Sequence, residues 1–446
     1  MEYEDNMKKK DRRIHSDVVR DSLNTFGTNA FGAVLALISS IVVLRRVDPT
    51  IKGYYNAVQN WGGGFYTIIG LSVAASIIYF VARYKIENTR KPIVKLGAVI
   101  FVVIAVIGTA ILIALRKSSF FNKTPSPFLV AIVVYALSSL VLNLCTGVLR
   151  GENKFKSFNM INLLQRILAM ILALYIAFRP SASIWIWGTV AISCGMIVFG
   201  LVCIRRWNGP RPKPAPDDDY PVPANSMIKY SLKAHVSNVL TYINTFLGTY
   251  IVQGKFGIKN LGVYSTAFTI MQQVWILPDA VSQVIMSRIA AMSEQKDKLH
   301  LTLISTKMVT YVTTVAALLI LWMANVFVPW LFPMYTGALA PLSYLIVGSI
   351  FISYSKVLGN SIAAYGRPEL NILPTALGVA SNCVACLIFI PLLGINGVAL
   401  STSISLTVQG LSSIVIFCRY SHTPFVRLLV PSREELNAVK QIFKHK

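Results

Sequence analysis

Residues 390–402 read IPLLGINGVALST. An apolar run reaches Pro391, Gly394 and Gly397 bracket one amide, Asn396, and apolar character then resumes as far as Cys418. A chain that is polar for only a few turn-forming residues between two long apolar runs is turning back at a membrane face. Proline and glycine end one helix, and the next begins at once.

The same alternation recurs along the chain. A bilayer-spanning helix needs about 20 mostly apolar residues. Windows of that kind fall at about 22–44, 55–82, 94–115, 128–149, 158–178, 183–204, 228–252, 263–286, 306–331, 342–364, 371–391 and 397–418. Composition agrees. Of 446 residues, 54% are hydrophobic and only 13% charged, with mean hydropathy +0.60, whereas a soluble domain carries roughly 25% charged residues.

The formal charge is +24, a value that in a soluble chain would raise nucleic-acid binding. Here the distribution points elsewhere. With twelve spans, most lysines and arginines fall in the segments on one side, the positive-inside bias. Both termini are therefore expected in the cytoplasm, with the basic face attracting anionic lipids. The first 21 residues, MEYEDNMKKKDRRIHSDVVRD, are polar throughout. They lack the apolar core of a cleavable signal, so the first span is expected to be retained. No nucleic-acid motif is evident. Six cysteines lie singly within the windows, and the Cys383/Cys386 pair has no partner pair of Cys or His, so packing is expected of it, without a metal or cofactor.

Between the sixth and seventh windows lies RRWNGPRPKPAPDDDYPVPANS, with six prolines and an acidic triplet at Asp217–Asp219. It reads as a stiff, solvated linker. The expected organisation is a cytoplasmic segment 1–21, a six-helix bundle 22–204, the linker 205–227, a second bundle 228–420, and a cytoplasmic amphipathic tail 421–446. In that tail Ser432 and Glu435 form a capping box.

The halves resemble each other. Shifting the first by 209 residues brings Arg20 onto Lys229, Ser22-Leu23 onto Ser231-Leu232, Asn29 onto Asn238, Val43 onto Val252, Gly53 onto Gly262 and Tyr55 onto Tyr264. At a slightly different offset Gly151 meets Gly366. Six is even, so the repeats share one orientation. The expected fold is an all-α integral membrane protein with about 12 transmembrane helices in two parallel six-helix bundles and a central cavity. Such repeats commonly build transporters.

Four stretches carry a resemblance: RRVDPTIKGYY at 45–55, FGIKNLGVYSTA at 256–267, AAYGRPELN at 363–371, and IPLLGINGVALST itself. In their order and spacing they resemble the multidrug/oligosaccharidyl-lipid/polysaccharide exporter superfamily, and within it the polysaccharide flippase-like branch, over about residues 20–420. The pattern matches at Arg45, Pro49, Gly53, Tyr55, Gly257, Gly262, Tyr264 and Ala267, while Asp48 and Ile258 replace the usual glycine and proline. Many relatives carry an Asp-Arg pair where this chain has Gly248-Thr249. The family proline after the eighth span is Ser287, with Arg288 retained.

The resemblance implies a flippase that moves a polyprenyl-(pyro)phosphate-linked oligosaccharide across the plasma membrane by alternating access during surface polysaccharide biosynthesis. Polysaccharide polymerase and glycosyltransferases are its implied partners, and a monomer its implied state. Flippases of the peptidoglycan precursor usually have fourteen spans, so twelve favour a surface-polysaccharide or teichoic-type substrate.

Such work needs cations for phosphate and polar groups for sugar inside a hydrocarbon layer, where ionisable residues usually mark function. Arg166 lies near the middle of the fifth span, in a helical-period stripe with Asn159, Asn162 and Gln165. Its guanidinium suits bidentate phosphate binding. Lys307 and Lys356 lie nearer span ends and either bind substrate or snorkel to the interface. Arg45 and Arg46 end the first span and either meet the emerging phosphate or anchor the helix.

Asp279 follows Pro278 in the eighth span, as a proton or sodium acceptor or as a cap on a proline-broken helix. Gln59, Asn60, Asn238 and Gln272 head a roster for sugar hydroxyls, with Asn56, Trp61, Asn244, Gln273 and Trp275. Helix–helix hydrogen bonding is the plainer role for any of them. WGGGF at 61–65 lacks the lysine of a phosphate loop and serves helix packing or bending. An enzyme is not expected, since the acidic triplet has no nucleotide-sugar context. A multidrug/cation antiporter of the same superfamily is the alternative, though it would place more acids within the spans.

Overall fold

A computed structural model describes residues 27–28, 31–32, 34–84, 86–205, 224–292 and 294–429. The expected segments 1–21, most of the linker and the capping box of the tail lie outside the described residues. Every described element is helical. Two compact units emerge, Met1–Asn238 and Val239–Lys446.

In the first unit, residues 34–46 form α1, followed by α2 (Pro49–Ile69), α3 (Val73–Arg83), α4 (Ile86–Leu115), α5 (Ser126–Gly151), α6 (Phe155–Phe178) and α7 (Ala182–Arg205). Helix α8 (Ala224–Gln273) begins in this unit and continues into the second. There follow α9 (Ile276–Ala291), α10 (Gln295–Leu331), α11 (Leu339–Ala364), α12 (Ile372–Leu393), α13 (Ile395–Ser421) and the single turn α14 (Val426–Leu429). Among the described residues, eight helices are long and apolar enough to cross a membrane, and the bent pair α2–α3 makes a ninth. The other three windows fall on α1, α8 and α9, and of these α9 is a helix of 16 residues.

Helix α5 is the core of the first unit. Helices α2, α3, α4 and α7 pack on it, and Ala131, Ile132, Ala136, Leu140 and Leu149 are buried. WGGGF stays helical. A methyl group on Gly62 would lie 2.6 Å from Tyr135 Cδ1, so this glycine lets α2 approach α5. The expected 55–82 span starts earlier, at Pro49, because Pro49 suits the first helical turn and the Asp48 carboxylate accepts from Thr50 N at 2.7 Å. Most of the motif stretch 45–55 is therefore helix. The span then breaks with a 56° bend. Leu71 and Ser72 both sit in the left-handed region, at φ 50° and 49°.

In the second unit α11 packs closely against α13. Gly348 N donates to Ser403 Oγ at 2.8 Å, and a methyl on Gly348 would lie 2.7 Å from Ser403 Cα. The turn expected within residues 390–402 is present. Gly394, at φ 57°, separates α12 from α13, and Pro391 lies in the last turn of α12. The 209-residue shift that aligns the halves also carries Asp48 onto Gly257. Asp48 caps the break between α1 and α2. Gly257, at φ 84° and ψ 175°, is the one non-helical residue inside α8. Both positions interrupt a helix.

Candidate functional site

In the first unit Arg166 lies on α6. Asn159 is buried on this helix, and Asn162, Gln165 and Arg166 are half-buried. Arg166 lies across Gly32, a buried glycine just ahead of α1. A methyl group there would fall 2.6 Å from Arg166 Nη1 and 2.7 Å from its Nε. The missing side chain leaves a groove in which the guanidinium rests. Among the described residues, no carboxylate, carbonyl or hydroxyl bonds it, so a structural ion pair does not account for Arg166 there. Gly32 was not legible as a neighbour of Arg166, since the first span also holds Gly27, Ala30, Ala33 and Ala36.

The second unit has a different arrangement. Lys356 on α11 reaches Asp279 at the start of α9, Nζ to Oδ1 2.6 Å. The same ammonium lies 4.7 Å from the centre of the Trp275 ring, within cation–π range. Three residues weighed separately in the sequence thus form one cluster. The Asp279 side chain is 48% exposed and that of Lys356 22%, while Trp275 is buried and its Nε1 has no hydrogen-bond partner among the described residues.

The local cause is a helix break at Val274–Trp275, after which α9 restarts at Ile276. Pro278 is not the breaker. It sits in the first turn of α9, where its missing N–H removes no helical bond. Asp279 does not cap that helix through its side chain; it points its carboxylate to Lys356. Lys356 ends on that carboxylate. Trp275, buried under the ammonium, is not open to stack on a sugar.

The other candidates separate. Lys307 is 5% exposed, buried within its unit and not snorkelling. It lies on a face of α10 with Thr302, Thr306, Thr310 and Thr313, all buried. Arg45 and Arg46 are exposed. Gln59 donates to Tyr55 OH, and Tyr55 stacks on Trp185 at 3.9 Å. Asn60 is half-buried on α2. Asn238 donates to Ser72 Oγ at 2.9 Å, and His235 Nδ1 lies 3.3 Å from the same oxygen, so two side chains hold the break between α2 and α3. Gln272 is half-buried before the break that leads to α9 and makes no side-chain hydrogen bond among the described residues.

Asn244 is packing chemistry. It donates to Gln409 Oε1 at 2.6 Å and accepts from Ser405 Oγ, which also reaches Gly378 O at 2.7 Å. Trp61 is enclosed by Phe65, Phe120 and Phe121. Where many relatives carry Asp-Arg, Gly248 leaves no room for a side chain: a methyl would lie 2.6 Å from Tyr264 OH and 2.8 Å from Thr402 Oγ1. Thr249 bonds back to Phe246 O at 2.7 Å.

Comparison with known proteins follows this geometry. Residues 18–278 match the model of a family described as polysaccharide biosynthesis protein. The chain belongs to that family. No curated protein matches significantly. Among solved structures, this family member is similar to the lipid II flippase MurJ in an inward closed conformation, with TM-score 0.67 and 14% identity over 94% of this chain and 91% of that one. It is similar to an inward-facing multidrug resistance MATE family transporter of the MOP superfamily, with TM-score 0.63 and 14% identity over 89% and 95%. A MOP superfamily transporter from Pyrococcus furiosus gives 0.62 and 14% over 92% and 96%. At such identities these likenesses speak to the fold. It is the multi-pass, all-α fold expected from the sequence, and the family match agrees with the polysaccharide branch that the motifs resemble.

Proposed function

We propose that this chain is a flippase for a polyprenyl-(pyro)phosphate-linked oligosaccharide. It works by alternating access in the plasma membrane, with both termini cytoplasmic, during surface polysaccharide biosynthesis. Membership of the polysaccharide biosynthesis family supports the class, and the observation that carries the reading is Arg166. An arginine mid-span without a counter-ion among the described residues is costly in hydrocarbon and marks a place where an anion arrives. Its planar fork matches phosphate oxygens in pairs. Half-buried Asn162 and Gln165 on the same helix supply amides for the sugar nearest the phosphate.

The multidrug-antiporter reading draws on the likeness to MATE transporters, a likeness of fold. Deleting the gene separates the two. Loss of a surface polysaccharide with accumulation of its lipid-linked precursor supports the flippase. Unchanged polysaccharide with heightened drug sensitivity supports the antiporter. A reporter fused at Lys446 that is active only outside the cell overturns the orientation.

A further inference from the structure

We propose that Lys356 is an oxyanion-binding subsite whose resting counter-ion is Asp279, and that an incoming phosphoryl or carboxylate group takes Asp279's place on the ammonium. It rests on the flippase reading for its biological substrate. Among the described residues Lys356 has two partners, a carboxylate at 2.6 Å and the face of Trp275 at 4.7 Å. The ring stays with the lysine because Trp275 is buried. The carboxylate is the exchangeable partner, since almost half of its side-chain surface is open while the lysine is the more enclosed of the two.

A built-in acid keeps the ammonium partnered and ordered while it waits. A partly exposed pair of this kind contributes little net stability and is readily exchanged. A phosphoryl group offers more charge and more acceptor oxygens than one carboxylate, so it outcompetes Asp279 for the ammonium. Asp279, the exposed partner, then turns to water. The cation stays fixed on Trp275 throughout, which fixes where the anion sits.

Two sources offer this chemistry: the pyrophosphate of the lipid carrier, and the carboxylate of an acidic sugar. The test is binding of inorganic pyrophosphate and of glucuronate to the purified full-length protein. It is done in an Arg166→Ala background so that Arg166 does not contribute. Asp279→Asn removes the competitor and should tighten binding by roughly 10-fold; Lys356→Gln should weaken it by roughly 10- to 100-fold, the worth of a charge-assisted hydrogen bond. Preference for pyrophosphate assigns the carrier, and preference for glucuronate assigns the sugar.

If neither anion responds to either substitution, the subsite is overturned. A second arm measures polysaccharide export by Asp279→Asn/Lys356→Gln in an otherwise native protein. The pair removes both charges and leaves none unmatched, so the protein should still fold. Export should collapse; export at the native level would show the pair to be structural. The binding arm does not depend on the flippase reading, whereas unchanged polysaccharide in the deletion strain sinks that reading and leaves the binding result standing.

Discussion

Lys356 Nζ lies 2.6 Å from Asp279 Oδ1, across 77 residues of sequence, and joins α11 to the first turn of α9. Removing one charge leaves the other without its partner, whereas removing both does not. Asp279→Ala and Lys356→Ala alone are therefore expected to lower the unfolding temperature in detergent. The double neutral variant should recover most of the loss. Because the pair is partly exposed, each single loss should be modest, about 1 kcal/mol or less. A double variant less stable than either single one would show that the pair is not the coupling between these helices.

The groove over Gly32 is a second point of control. A side chain there occupies the space of the Arg166 guanidinium. The far end of an arginine is flexible, so Gly32→Ala should leave insertion and stability near normal while moving the guanidinium. Export should fall toward the level of Arg166→Ala. The combined variant should export no less than Arg166→Ala alone, since both changes disable one group. Normal export by Gly32→Ala at matched membrane levels would mean that the position of Arg166 on this groove is irrelevant.

Asp48 stands where relatives usually have glycine, and its carboxylate caps α2 at Thr50 N. Asp48→Ala should cost about 1 kcal/mol and Asp48→Ser much less. Thermal unfolding of the purified protein distinguishes them. Equal stability of Ala and Ser would remove the capping role.

Close packing of α11 on α13 makes a steric prediction. Gly348→Val sets its new atoms against Ser403 backbone and should destabilise the second unit by about 1–3 kcal/mol or more. Gly337→Ala meets only Val263 Cγ1 at 3.4 Å, an ordinary contact, and serves as the tolerated control. Folded yield and unfolding temperature read both. A Gly348→Val protein as stable as Gly337→Ala would contradict the packing.

Periodic and local signals were legible in the sequence. The apolar windows locate the helices, and the glycine at 394 marks a turn that its φ of 57° explains. The repeat offset was read only as likeness between the halves; that it also pairs the helix interruptions at Asp48 and Gly257 came from the structure. Signals that depend on distant residues were not legible. The left-handed pair Leu71–Ser72 occurs in a run with no proline, and it is held by Asn238 and His235 from α8. Pro278 draws attention as the helix breaker, yet the break precedes it, and the first turn of α9 accepts it without strain. Arg166 was found because charge within an apolar window is rare. Its resting place on Gly32 was not, because nothing in either local sequence names the other.

The central claim is that Arg166 binds the phosphate of a lipid-linked substrate, and export measured in a deletion strain tests it most directly. The strain carries Arg166→Ala or Arg166→Lys at matched membrane levels. Arg166→Ala loses both charge and fork, so export should collapse. A lost charge-assisted hydrogen bond of about 1.5–3 kcal/mol corresponds to roughly 10- to 100-fold in affinity. Arg166→Lys keeps the charge without the bidentate geometry and should export at an intermediate level. Native export by Arg166→Ala would contradict the account and make Arg166 a packing residue.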